Sequence, residues 1–258
     1  MGSSAATPEV LYVSSSPFGT VYVVDQGDER VLRFDSPTGD NQTVILKSDP
    51  LAIPMVYAQV VAAALAFTPR RTRALVVGLG GGLLPRMLRE RLLRMAVDVV
   101  EVNPVVIDVA RRFFGVEEDA RLRIFEDDGV RFLARKGPEY DFILIDAFSV
   151  QGIPEAFKAP DVYENVRRRL APEGAAVLNI AFEGLDGRAR LLEAFSRPFE
   201  GCGLLRGASG SSNVLAVGTP GPLPSEARFR KRLTHLAREL RFPGLETCVR
   251  SFAPYEKP

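Results

Sequence analysis

The sequence is poor in the residues that carry most metal and nucleophilic chemistry. Its 258 residues hold one histidine, His235, and two cysteines, Cys202 and Cys248, far apart and outside any paired motif. That scarcity argues against a zinc site or a disulfide framework, and it fits a reducing compartment, the cytoplasm. It also leaves little material for a Ser-His-Asp or Cys-His mechanism. Net charge is scarce too, because 33 Lys and Arg face 32 Asp and Glu, a formal +1. No global field therefore favours nucleic acid or a membrane surface. The clusters Pro69-Arg70-Arg71-Thr72-Arg73 and Arg167-Arg168-Arg169 read as solvated helix faces or loop edges, since no aromatics interleave with the charge. No run approaches the roughly 18–20 apolar residues of a membrane span. Residues 1–7 lack the basic-then-apolar order of a signal peptide and read as a loose tail.

What remains is ordinary globular material, 46% hydrophobic and 25% charged, long enough for one large core with a small appendage. Residues 10–46 carry short β-branched or aromatic runs, such as Thr20–Val24 and Thr43–Leu46. Gly19, Gln26-Gly27-Asp28 and Ser36–Asn41 punctuate them as turns. Pro50 and Pro54 introduce a helix over about 55–66 that is apolar on nearly every side and therefore buried. From Arg73 onward, continuous apolar strands alternate with helices. The strands are 74–77, 97–100, 122–125, 142–145 and 175–180, followed by an antiparallel pair at 204–205 and 214–217. This rhythm implies an α/β fold with a parallel sheet covered on both faces. The expected division is a tail and small β-strand domain over 1–50 and a Rossmann-like domain over 51–258.

Ligands of such sheets bind beyond the carboxyl ends of the strands, and four successive strand ends carry distinctive residues. The first runs into Gly78-x-Gly80-x-Gly82, where backbone can approach a ligand closely. The second ends at Glu101, 23 positions beyond Gly78, where a carboxylate can accept both ribose hydroxyls. The third leads to Asp127-Asp128-Gly129 and the fourth to Asp146. Each has a packing explanation: a tight glycine turn, a helix-end charge, a helix cap, a turn residue. Four in register on one sheet point to a nucleoside site. A dinucleotide fingerprint would place a third glycine at position 83, which is Leu83 here. A sulfonium nucleoside without pyrophosphate is therefore favoured over NAD.

The segments 74–82, Val100-Glu101-Val102-Asn103, Asp127-Asp128-Gly129 and 140–146 resemble the spermidine synthase family, and Ser16–Val23, Arg30-Val31-Leu32 and Gln42-Thr43 resemble its strand domain. The resemblance covers about residues 14–182. It implies a class I methyltransferase-like doubly wound sheet, a dimer, and a donor that is S-adenosylmethionine or its decarboxylated form. The implied donor residues are Gly78, Gly80, Gly81, Gly82, Glu101, Val102, Asp127, Asp128 and Gly129, with Glu101 on ribose and Asp128-Gly129 at adenine. Asp146 would take a proton from an attacking amine, assisted by the pocket residue Tyr57. Gln42, Tyr57, Phe148 and Ser149 would face the acceptor. Phe157 and Tyr163 are further pocket candidates, although core packing explains either one more simply.

Two positions depart from the family pattern. The loop aspartate that holds the ammonium of a decarboxylated donor aligns with Gly81, and a second acid aligns with Ser149. A charge-assisted hydrogen bond is worth about 1.5–3 kcal/mol. A bare Gly81 is expected to leave room for the α-carboxylate of ordinary S-adenosylmethionine, and the loop also resembles spermidine synthase-like domains of some protein amine methyltransferases. The expected function is methyl transfer to a small-molecule or peptide amine. Aminopropyl transfer and a non-catalytic nucleoside-binding paralogue are the alternatives.

Overall fold

The computed structural model describes residues 8–148, 152–181, 184–208 and 213–257. The tail at 1–7 and the acceptor candidate Ser149 lie outside them. Strands β1 (Glu9–Ser16), β2 (Gly19–Gln26), β3 (Glu29–Phe34) and β4 (Asn41–Leu46) form a four-stranded antiparallel meander. Val21, Val23 and Leu32 are fully buried and join one hydrophobic core with the helices and main sheet that follow. Helix α1 (Val56–Ala64) and the 3-10 turn Leu65–Phe67 come next, with every residue from Val60 to Phe67 buried. That enclosure is why this segment could afford no polar face.

The main sheet has the order β12-β10-β11-β9-β8-β5-β6-β7. Its parallel part consists of β5 (Arg73–Val77), β6 (Ala96–Glu101), β7 (Leu122–Glu126), β8 (Tyr140–Ile145) and β9 (Leu170–Ile180). The strands β10 (Gly201–Gly207), β11 (Val214–Thr219) and β12 (Val249–Pro254) extend it antiparallel. Successive side chains of β5 and β8 alternate between two cores. Val76 and Leu144 enter the one shared with α1, α2 (Leu83–Arg91), α3 (Pro104–Phe113) and α7 (Glu226–Glu239). Val77 and Ile145 enter the other, against α4 (Gly129–Ala134), α5 (Pro160–Arg168) and α6 (Leu185–Ser196). Each buried Val, Leu or Ile there stabilises by about 1.5–3 kcal/mol relative to exposure. Coverage on both faces explains why these strands read as continuous apolar runs rather than alternating ones.

The chain enters the sheet at β5, winds outward through β6 and β7, then crosses back to β8 on the other side of β5. This reversal leaves a crevice beyond the carboxyl ends of β5 and β8.

Two expectations need correction. Strand β12 was not foreseen, because Arg250, Ser251 and Pro254 mask its pattern at the sheet edge, a position where proline is tolerated. Arg169 is not part of a solvated face. It is 6% exposed and donates to the carbonyls of Pro138 (3.1 Å), Phe132 (3.2 Å) and Arg135 (2.9 Å). A guanidinium buried among three carbonyls is a structural clamp, since its donors are satisfied by fixed backbone. Among the described residues no helix is long and apolar enough to cross a membrane.

Candidate active site

The crevice holds a cavity of about 540 Å³, within the range of small-molecule sites. Its floor is the loop after β5. Gly78 adopts φ +99°, and a Cβ there would lie 2.3 Å from the Asp146 carbonyl oxygen, so only glycine lets the two strand ends approach this closely. The loop is held from one side by Glu101, at the end of β6. Its Oε2 accepts from the Leu79 N–H at 2.9 Å and its Oε1 from the Asn103 N–H at 2.9 Å. Burial raises the Glu101 pKa above the ordinary carboxylate value, and these backbone donors oppose the rise. An ionised carboxylate has about four acceptor positions. With the Val102 N–H also acting on it, Glu101 still keeps acceptor capacity for a further donor.

Gly81 differs from its expected role. Its N–H donates to Thr43 Oγ1 at 2.9 Å, and a Cβ would meet Thr43 Cγ2 at 2.8 Å and Phe114 Cδ1 at 2.9 Å. The room beside Gly81 is filled by a threonine of β4. Neither Gly81 nor Gly82, which precedes α2, lines the cavity, whereas Gly78, Leu79 and Gly80 do.

The paired aspartates after β7 separate. Asp128 lines the cavity and also caps α4, its Oδ1 accepting from the Arg131 N–H at 2.8 Å. Asp127 turns to Arg131 and Arg135 instead. Burial alone would raise its pKa, but the Arg131 hydrogen bond and both guanidinium charges hold it below the usual value. It is spent on an ion-pair cluster. Gly129 lies at the wall, where a Cβ would be 2.5 Å from Val77 Cγ1 and 3.1 Å from Phe157 Cζ. Val102, 39% exposed, also borders the cavity.

Asp146 follows β8. Its Oδ1 accepts from Asn179 Nδ2 at 2.8 Å, and Asn179 Oδ1 accepts from Asn213 Nδ2 at 3.0 Å. Burial pushes its pKa up to about 6, with the Asn179 hydrogen bond acting in the opposite sense. Such a value suits a group that exchanges protons near neutrality. Tyr57 Oη donates to the Gln42 carbonyl at 3.4 Å. Its pKa is raised by burial and by the nearby Asp146 charge, so it is a neutral phenol. Gln42, Tyr57, Phe148 and Phe157 all line the cavity, whereas Tyr163 is fully buried and donates to the Phe157 carbonyl at 2.6 Å. Sequence reading overlooked Asn179 and the contact of Thr43 with Gly81. For Asn179 a signal existed, namely one amide inside the apolar run Ala175–Ile180. His235 is solvent-exposed and pairs with Glu239 at 3.4 Å.

Residues 55–180 match the spermine/spermidine synthase domain. A polyamine aminopropyltransferase of Vibrio vulnificus is 31% identical over 175 residues, covering 66% of this chain and 58% of that protein. The bovine eEF1A lysine and N-terminal methyltransferase is 31% identical over 136 residues, covering 48% of this chain. This chain thus spans under two thirds of the Vibrio protein and only 20% of the bovine one. Among solved structures, human methyltransferase-like protein 13 in complex with SAH superposes with a TM-score of 0.68 at 25% identity, covering 73% of this chain and 94% of that one. The longest of these alignments is to a Chromobacterium violaceum polyamine aminopropyltransferase, 31% identical over 229 residues and covering 88% of this chain and 85% of that protein. A match of that extent, carried on this sheet order, makes the chain a member of the spermine/spermidine synthase family.

Proposed function

We propose that the chain is a transferase that uses an S-adenosylmethionine-type donor and moves a methyl group to an amine. The observation carrying this reading is that Glu101, Asp128 and Asp146, from the ends of β6, β7 and β8, line one cavity above a glycine loop. The residues suit a sulfonium nucleoside. Glu101 keeps free acceptor capacity for a ribose hydroxyl, Asp128 and Gly129 line the cavity where the base would lie, and the close approach of Gly78 to Asp146 brings donor and acceptor ends together. A bound sulfonium donor supplies an electrophilic carbon. Asp146 attracts the acceptor's ammonium, receives its proton as the nitrogen lone pair is freed, and passes that proton to solvent. The rest of the site orients the two reactants.

Methyl transfer is favoured because the glycine loop offers no carboxylate to hold the tail ammonium of a decarboxylated donor. The reason is now steric, since Thr43 and Phe114 occupy the space a side chain at 81 would need. Aminopropyl transfer is the second reading, and one observation favours it: among the described residues, no lysine or arginine lines the cavity to meet a donor's α-carboxylate. In either case the proposed boundary falls at about residue 50, with the small four-stranded sheet contributing Phe18, Phe34 and Gln42 to the cavity and the Rossmann-like part contributing the donor loop, and the proposed location is the cytoplasm. Calorimetric titration with S-adenosylmethionine, its decarboxylated form and methylthioadenosine decides. Methyl transfer requires the carboxylated donor to bind at least as tightly as the decarboxylated one, and a strong preference for the latter would install aminopropyl transfer.

A further inference from the structure

The Asp146 carboxylate is held from within the sheet by a line of amides that crosses the adjacent strands β8, β9 and β11. Leu178 of β9 pairs with Ile145 of β8, so Asn179 comes level with Asp146, and Asn179 Nδ2 donates to Asp146 Oδ1 at 2.8 Å. On the other side of β9, Ile180 pairs with Val214, which puts Asn213 diagonal to Asn179 at the head of β11. Asn213 Nδ2 donates to Asn179 Oδ1 at 3.0 Å. The three side chains share one face of the sheet. Leu144, Val177 and Leu215, each two residues from one of them, all enter the core shared with α1.

A side-chain amide has one acceptor end and one donor end, and both ends of buried Asn179 are committed. Turned over, Asn179 would set its carbonyl against the carboxylate and its NH2 against that of Asn213. Asp146 alone does not forbid the turned amide. An ionised Asp146 calls for the NH2, but a protonated one can donate to the carbonyl, so an unrestrained amide would follow either state. Resting on the reading of Asp146 as proton acceptor, we propose that Asn213 is a positioning residue that fixes the Asn179 amide with its NH2 towards Asp146, and so biases the carboxylate to its charged, proton-accepting form. That bias opposes burial, which pushes the Asp146 pKa up to about 6.

The test follows the Asp146 carboxyl against pH in the full chain without substrate, by NMR of isotope-labelled aspartate, its signal assigned by its absence from Asp146→Asn. Asn213→Leu removes the far donor and should raise the midpoint by about one pH unit. Asn213→Asp, nearly the same shape, replaces that donor with an acceptor that claims the Asn179 NH2, and should raise the midpoint at least as far. It keeps the test open if the leucine variant does not fold. An unmoved midpoint in either folded variant overturns the proposal. Since Asn213 acts through Asn179, Asn213→Leu should add nothing in an Asn179→Leu background, and a full shift there also overturns it. The described titratable or charged groups around this line are Tyr57 of α1, Glu101, Asp128, Asp35 beside Gly19, and Arg206 of β10, and they are the same in every variant. The carboxyl signal needs no turnover, so the two readings fail separately. Full activity in Asp146→Asn would sink the proton-acceptor reading while the shifted midpoint still upheld the amide line.

Discussion

Two pairs of acids sit at opposite ends of the same parallel strands, and the fold treats them in opposite ways. Towards the amino ends, Asp98 is 1% exposed and saturated. Its Oδ1 accepts from Arg123 at 2.9 and 2.7 Å, its Oδ2 accepts from Tyr140 Oη at 3.0 Å, and Arg73 lies 3.5 Å away. Asp141 is likewise held, its Oδ2 accepting from the Thr72 N–H and hydroxyl and the Arg73 N–H at 2.6–3.0 Å. Towards the carboxyl ends, Asp146 has, among the described residues, an amide donor and no ion-pair cation, and Glu101 is held by backbone donors alone. A buried charge with a full set of partners is locked in place. A buried charge with too few remains poised to protonate or to bind something else. The same residue type thus staples the sheet at one end and waits for a ligand at the other.

The contrast breaks most sharply at Asp146. Asp146→Asn keeps the shape and the Asn179 contact, and is expected to lower turnover by on the order of 10²–10⁴-fold with donor affinity nearly unchanged. Single-turnover rates and melting temperature on the same protein check this, and a stability loss with turnover per folded molecule preserved would make Asp146 a turn residue. Asp98→Ala should do the reverse. Stranding the Arg123 guanidinium and the Tyr140 hydroxyl is expected to cost about 3 kcal/mol, at the low end for a broken buried pair because both arginines are partly solvated, with turnover per folded molecule intact. Chemical denaturation alongside activity measures both quantities. Glu101→Ala should weaken S-adenosylhomocysteine binding by about tenfold or more without unfolding, in line with the loss of charged hydrogen bonds; equal affinities in calorimetry would reject the donor pose.

The smallest effect is one of pH. With Asp146 titrating at about 6, its base form appears between pH 5 and 7, so kcat/KM should rise through that window. Since the folded value lies above the unfolded one, near 4, the native state binds the extra proton. Asp146 therefore makes stability fall as pH climbs from about 4 to 6. Asn179→Leu removes the donor that stabilises the carboxylate, and should move the kcat/KM midpoint upward by about one pH unit. A midpoint that stays put would show that Asn179 only packs.

Most strands and the three cavity carboxylates were legible because periodicity and strand-end position are local signals. Asp127 was misjudged because Arg131 and Arg135, four and eight residues on, claim it through a helix turn that the motif does not display. Arg169 was misjudged because its three carbonyl partners come from segments 31–37 residues away. The contact of Thr43 with Gly81 lay beyond reach for the same reason, since the Gln42-Thr43 motif is visible but the partner is 38 residues distant.

That threonine has a consequence for modularity. The hydroxyl of Thr43 occupies the Gly81 N–H and its methyl packs where a side chain at 81 would go, so the small sheet supplies part of the loop's own structure. The two sheets are therefore not interchangeable parts. A chimera that grafted a relative's N-terminal strands onto this Rossmann-like half would need to bring a hydroxyl and a methyl to the same point. Without them it would inherit a donor loop with an orphaned amide and a gap behind it. Recombination across residue 50 is thus constrained at this one contact in addition to the shared core, and a side chain at 81 requires room from both Thr43 and Phe114.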